Sequence, residues 1–247
     1  MQRSEAVLKA LVAEFTKSAY GGVVTMFQPV NEPRATTASM LAKLTSYYTD
    51  SYTIIMGKSK TAWFLGHDAF KGLSAWNGVL VKARSAFDTH IYSVFSDPDA
   101  EMTTAQRLAY YCSRKAGLAA GAKAHVSMVG EWAPAPNDCG QSLPNIAITE
   151  ANQGVTPGML SRSERLFPGS CANKTRSGSN FSTAYRNDLR RWWDVQVDVY
   201  EASTAGWVMW AWKLEDGAAD EWSYQAGLKY GWIPSDPTKR KYPNQCV

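Results

Sequence analysis

The 247-residue sequence contains no apolar run that approaches the ~20 residues needed to cross a bilayer. This absence excludes an integral membrane protein. The sequence also lacks a strong excess of either charge, since 26 Lys and Arg stand against 22 Asp and Glu. Its densest basic cluster, Lys239-Arg240-Lys241, is not accompanied by a basic stripe, so we interpret it as a solvated tail and expect no nucleic-acid partner.

Cysteine is scarce, and no two cysteines form a C-x-x-C pair or lie near a histidine at metal-ligand spacing, so no zinc site is predicted. Two disulfides with three possible connectivities, or four buried free thiols in a cytosolic protein, are both compatible with this spacing. Two glycosylation sequons, which begin at Asn173 and Asn180, favour the secreted alternative. The four cysteines are Cys112, Cys139, Cys171 and Cys246.

The composition is that of a folded protein, because 12% aromatic residues, including ten Trp, bury too much surface for a disordered chain. We therefore predict one domain over residues 1–247. The segment Met1–Lys17 has a mixed-charge helical pattern rather than the apolar core of a secretory signal, so no signal peptide is expected in this chain.

Helical patterns alternate with short apolar runs along the chain, which is typical of βαβ units with a buried parallel sheet. The residues 134–182 form a Gly-, Pro-, Asn- and Ser-rich stretch that is predicted to be a long loop. The predicted helices are Glu5–Lys17, Thr37–Tyr48, a helix opened by a Thr103-x-x-Gln106 capping box, and Thr183–Ala202. The predicted strands are Val23–Gln28, Thr53–Met56, Asp88–Phe95, His125–Val129 and Trp207–Trp212, with Trp63–Phe70 ambiguous.

Two glutamates follow predicted strands that are far apart in sequence, Glu32 in Asn31-Glu32-Pro33 and Glu131 in Gly130-Glu131-Trp132. Carboxyl ends of parallel strands converge on one face of a barrel, where catalytic groups lie. Two carboxyl groups, one protonated and one ionised, are what cleavage of a glycosidic bond requires. Each glutamate taken alone also fits a solvated residue at a helix start.

Four motifs in order resemble glycoside hydrolase family 5, specifically its fungal exo-β-1,3-glucanase branch. These are Val30-Asn31-Glu32-Pro33, Asp88-Thr-His90-Ile-Tyr92-Ser-Val-Phe95, Val129-Gly130-Glu131-Trp132 and Trp207-Val-Met-Trp210-Ala-Trp212-Lys213, and the ending Tyr242-Pro-Asn-Gln-Cys246 resembles that branch as well. The resemblance implies a (β/α)8 TIM barrel and retaining hydrolysis of β-1,3-glucan that releases glucose from non-reducing ends. Glu131 would be the nucleophile and Glu32 the acid and then the base, while His90 and Tyr92 would position the nucleophile.

The resemblance further implies that Asn31 holds the sugar 2-hydroxyl, Trp210 forms the floor of the subsite and Phe95 lines its entrance. Packing in the barrel interior is the alternative role for His90, Tyr92 and Phe95, and for Trp212 it competes with substrate contact. Family members bind a β-glucan and need no metal or cofactor, and their secretion would place the parent enzyme outside the cell or in the cell wall. The matching cysteines imply the disulfides Cys112–Cys246 and Cys139–Cys171.

Only 22 residues precede Val23, too few for the three βα units that come before strand 4 of a barrel. The chain is therefore expected to hold strands 4 to 8, a partial barrel. It could be a fragment of a longer enzyme, complete its barrel with another chain, or be a stable partial barrel with little activity. The competing functions are a non-catalytic glycan-binding remnant and a β-1,6-glucanase; apart from barrel completion, no protein partner is expected.

Overall fold

The computed structural model describes residues 2–140 and 161–246. The described residues cluster into two compact units, and the single-domain interpretation stays a prediction. The first unit comprises Met1–His90, Ala116–Gly130 and Ser203–Gly206, and the second comprises Ile91–Lys115, Glu131–Ala202 and Trp207–Val247. None of the helices in the described ranges is long and apolar enough to cross a membrane.

Helices separate the strands as expected for an α/β protein, although the segment between the second and third strands holds only a 3-10 helix, Leu73–Trp76. The strands are β1 (Met26–Phe27), β2 (Trp63–His67), β3 (Ser85–Ile91) and β4 (Val126–Trp132). The α-helices are α1 (Gln2–Phe15), α2 (Ala38–Lys58), α3 (Asp97–Glu101), α4 (Thr104–Gly121), α5 (Arg162–Leu166), α6 (Thr183–Ser203) and α7 (Tyr224–Tyr230).

The sheet has the order β1-β2-β3-β4, so neighbours in sequence are neighbours in space. The pairs β1–β2 and β2–β3 are parallel. Parallel pairing with intervening helices confirms the predicted partial α/β barrel.

Aromatic rings fill the core of the first unit. Tyr48 of α2 lies with its ring centroid 5.5 Å from that of Phe64 on β2 and 5.2 Å from that of Trp76. Phe87 of β3 stacks on Trp76 at 5.2 Å. These buried rings hold α2 against the sheet and thereby fix the strands whose ends carry the polar residues of interest.

The predicted strand Thr53–Met56 is wrong, because these residues continue α2 as far as Lys58. The buried side chains Tyr48, Ser51 and Ile55 recur at helical spacing and face the core. A short apolar run within this longer period looked like a strand. The ambiguous stretch after it contains β2.

The last predicted strand, Trp207–Trp212, is also not regular, although the chain follows β4 in a parallel direction. Within the first unit Ala205 N donates to Ser127 O, and within the second Trp210 N donates to Trp132 O. Beyond this point Ala211 N donates to Trp222 O instead. The segment therefore leaves the sheet because its backbone bonds go to the turn that follows it.

Both implied disulfides are present and confirm the pairing. Cys112 of α4 is bonded to Cys246 across 134 positions, and Cys139 is bonded to Cys171 across 32. The tail that carries Cys246 also binds α6, where the buried Asp194 carboxylate accepts the backbone N–H groups of two tail residues. The predicted loop 134–182 contains α5, and its residues 141–160 lie outside the described residues.

Candidate active site

Polar side chains at the ends of β1 to β3 form a hydrogen-bonded group in the first unit. Glu32 lies five residues beyond β1 and has a backbone φ of 44°, in a region that residues other than glycine rarely occupy. Such a conformation costs about 1–3 kcal/mol and is concentrated at functional sites. Its neighbour Asn31 is exposed to solvent. The strained turn marks Glu32 as a candidate functional residue.

His90 connects two carboxyl groups. Its Nδ1 lies 2.7 Å from Glu32 Oε1, and its Nε2 lies 3.1 Å from Asp88 Oδ2. Gln28 Nε2 donates to the same Asp88 oxygen at 2.7 Å. The His90 side chain is only 1% exposed, so its ring has little freedom to turn. An imidazole that faces a carboxylate on each side is well placed to carry a proton and to donate in both directions.

The hydrogen bond from His90 lowers the pKa of the Glu32 carboxyl, against the opposing effect of partial burial. The Glu32 side chain remains 36% exposed. In this arrangement Glu32 is ionised at neutral pH and has a proton-bearing ring within hydrogen-bond distance. The pair can therefore accept a proton from a reacting group or supply one to it.

The close approach of β4 holds Asp88 in place. A Cβ atom at Gly130 would lie 2.1 Å from Asp88 Oδ1, so only glycine fits beside this carboxyl group. Asp88 and Gly130 were not singled out from the sequence. The sequence does contain a signal for Asp88. Residues i and i+2 of a strand lie on the same face of a sheet, so the position of His90 predicts that Asp88 lies beside it.

In the second unit, Glu131 lies near the end of β4 and is half-buried. The Tyr92 hydroxyl donates to Glu131 Oε2 at 3.0 Å. The Tyr92 backbone oxygen in turn accepts from the Tyr110 hydroxyl at 3.0 Å. The bond from the Tyr92 hydroxyl therefore holds one oxygen of the Glu131 carboxylate in a defined direction.

An aromatic cluster supports Tyr92. Its ring centroid lies 5.3 Å from that of Phe95 and 5.7 Å from that of the buried Trp222. No local sequence pattern marks Trp222, since it lies in a short 3-10 helix, Asp220–Trp222, whose position depends on the folded chain. Phe95 is half-buried and packs against this cluster.

The two tryptophans of the irregular segment are exposed. Trp210 is 51% exposed, and Trp212 is 58% exposed while stacking on Tyr224 at 5.7 Å. Trp212 therefore does not pack in a barrel interior. Open indole faces of this kind provide a flat apolar surface.

No protein-family model matches the chain. It is 31% identical over 226 residues to a protein of Aspergillus clavatus named "Probable glucan 1,3-beta-glucosidase A", covering 91% of this chain and 52% of the relative. It is 31% identical over 229 residues to the "Glucan 1,3-beta-glucosidase" of Blumeria graminis, with coverages of 91% and 51%.

Among solved structures, the rutinosidase from Aspergillus niger superposes with a TM-score of 0.63 at 14% identity, covering 93% of this chain and 56% of the other. At that identity the match supports the fold alone. The chain spans about half the length of the curated relatives it matches. The motif resemblance is thus confirmed: over about nine-tenths of its length, the chain is similar to fungal proteins named glucan 1,3-beta-glucosidase.

Proposed function

We propose that the chain acts on β-1,3-glucan and hydrolyses it with retention, releasing glucose from non-reducing ends. Glu131 is the nucleophile in this proposal, and Glu32 is the acid and then the base. The observation that carries the proposal is the hydrogen bond from Tyr92 to Glu131, since it orients a carboxylate at a strand end as a nucleophile requires. The names of the relatives support the choice of substrate.

The first chemical step is attack of a Glu131 oxygen on the anomeric carbon, which breaks the glycosidic bond and forms a glycosyl–enzyme ester. Glu32 takes up a proton from the His90 ring and passes it to the leaving oxygen, and the ionised Glu32 later removes a proton from the water that attacks the ester. His90 supports both roles of Glu32 because its Nδ1 lies 2.7 Å from the carboxyl group. Both catalytic groups are carboxyls, so the proposed reaction needs no cofactor.

Substrate contacts in the proposal come from the exposed Asn31, from Phe95 and from the open face of Trp210. Asn31 would bind the 2-hydroxyl of the reacting sugar, and the aromatic side chains would stack on sugar rings. We also propose that the protein acts outside the cell or in the cell wall. The two disulfides support this location because such bonds persist in oxidising compartments.

The test is glucose release from laminari-oligosaccharides by the wild type and by Glu131→Gln. Loss of the nucleophile should lower turnover at least about 1,000-fold, or about 4 kcal/mol in the barrier. Glu101→Gln is the matched control, because this exposed residue ends α3 and makes the same change of charge. NMR of the first product should show the β-anomer of glucose, and the α-anomer would refute retention.

A non-catalytic glycan-binding remnant is the second candidate, and the exposed indole rings of Trp210 and Trp212 favour it. It predicts that the wild type binds laminarin without releasing glucose and that Glu131→Gln changes nothing. Faster cleavage of a β-1,6-linked than of a β-1,3-linked oligosaccharide would instead support the β-1,6 specificity.

A further inference from the structure

A cluster of two histidines and a glutamate lies at the strand ends of the first unit. One ligand atom each from Glu32, His67 and His90 lies within 4.8 Å of the others. Two imidazole nitrogens and one carboxylate oxygen form the ligand set of many open zinc sites, in which a fourth position stays available to water. We propose that these three residues bind a divalent transition-metal ion of the Zn²⁺ type.

The second and independent observation is the state of His67. This residue is completely buried, and its Nε2 atom has no hydrogen-bond partner within the described part of the chain. A buried polar atom without a partner is costly, and such atoms are rare in folded proteins. Coordination of an ion would satisfy it.

Each of the two histidine rings also has an aspartate beside it. His90 Nε2 lies 3.1 Å from Asp88 Oδ2, and His67 Nδ1 lies 3.7 Å from Asp68 Oδ1. A carboxylate behind a ligating histidine fixes the ring and strengthens its bond to a metal. Both aspartates are themselves buried and hydrogen-bonded, Asp68 by Thr89 and Asp88 by Gln28.

The tautomer of His67 decides which of its ring nitrogens can bind an ion. The Ala69 backbone N–H donates to His67 Nδ1 at 3.0 Å, so that atom acts as an acceptor. Ion binding through Nε2 requires the ring proton to lie on Nδ1, where the hydrogen bond from Ala69 would break and the Asp68 carboxylate, 3.7 Å away, would have to move closer to accept.

An ion has a way into this cluster through Glu32, the partly exposed member of the three. The ion would occupy the carboxylate that the proposed function uses as acid and base. Binding therefore inhibits hydrolysis, and this second part of the inference rests on the proposed function. The first part, binding itself, does not depend on any activity.

The test is calorimetric titration of the full chain with ZnCl₂ in a buffer that does not bind metal. We expect one Zn²⁺ per chain. Glu32→Gln and His67→Gln should each weaken binding by more than the roughly 10- to 100-fold that loss of an outer-shell partner costs. Glu32→Gln keeps the test decisive if His67→Gln does not fold, because the Glu32 side chain is partly exposed.

Two variants serve as controls. His125→Gln removes the third histidine of the chain, which lies outside the cluster and has its Nε2 atom 2.8 Å from the Trp76 backbone oxygen. Glu101→Gln matches the charge change of Glu32→Gln. Both should bind Zn²⁺ as the wild type does, with thermal unfolding used to verify that each variant is folded. Absence of Zn²⁺ binding, or binding that survives both cluster substitutions, would overturn the proposal.

Glucose release is then measured with and without saturating Zn²⁺. Suppression by the ion and recovery on adding a chelator support the inhibitory part, while unchanged hydrolysis with the ion bound overturns it. No hydrolysis by the metal-free chain would refute the proposed function and leave the binding result intact.

Discussion

Replacing Tyr92 with Phe removes one hydroxyl group and leaves its ring against Phe95 and Trp222. The lost bond is the 3.0 Å contact with Glu131 Oε2, a charge-assisted hydrogen bond from a phenol to a carboxylate. Bonds of this kind contribute about 1.5–3 kcal/mol. At about 1.4 kcal/mol for each factor of ten, kcat/KM for a laminari-oligosaccharide should fall about 10- to 150-fold.

Tyr110→Phe is the matched comparison, because its hydroxyl donates at the same 3.0 Å distance to the neutral backbone oxygen of Tyr92. A neutral bond contributes about 0.5–1.5 kcal/mol, so the loss should stay near or below about tenfold. The assay is initial-rate glucose release at substrate concentrations below KM, with thermal unfolding to verify that both variants are folded. If Tyr92→Phe kept full activity, or if Tyr110→Phe were the more damaged variant, the assigned role of Tyr92 would be refuted.

Two further predictions concern the free energy of unfolding, which is measured by denaturant unfolding of the full chain. Removing Cys112–Cys246 with alanine should cost about 5 kcal/mol and removing Cys139–Cys171 about 4 kcal/mol, from loops of 134 and 32 positions, and a reversed order would contradict the loop-entropy reasoning. Burial raises the pKa of Glu221 to about 8, so the carboxyl destabilises the fold progressively as pH rises from its ordinary pKa to about 8. Glu221→Gln should therefore stabilise the protein at pH 7 by on the order of 3 kcal/mol and have little effect at pH 4, and an equal effect at both pH values would exclude this cause.

Local signals in the sequence were sufficient for the long helices. The box formed by Thr103 and Gln106 is present, with Gln106 N donating to Thr103 Oγ1 and Thr103 N donating to Gln106 Oε1. The helix from Thr183 begins at the predicted residue. Caps and helical periodicity act over a few residues, so they can be read without knowing the fold.

Two of the predicted strands were wrong because tertiary contacts, which local sequence patterns do not show, decided the structure. Ile55 belongs to an apolar stretch that is short enough for a strand, yet it packs as part of a 21-residue helix. Trp210 lies in a run that looks like a strand, but Ala211 next to it bonds to a turn eleven positions away. Tertiary contacts decided both cases.

The candidate site divides in the same way. Glu32, Glu131, His90 and Tyr92 were identified from motifs, and each makes a polar contact with another group. His67 was not among the predicted site residues, because its proximity to two other polar side chains becomes visible only in the fold. Residues gathered from different strands cannot be recognised by spacing along the chain.

The fit between Gly130 and Asp88 restricts how this sequence can change. Any side chain at position 130 would collide with the carboxyl group, and shortening Asp88 to make room would remove the group behind His90. The two positions are therefore tied: a library that randomises either one alone should return the original residue, and variants at position 130 should survive only together with a smaller residue at position 88.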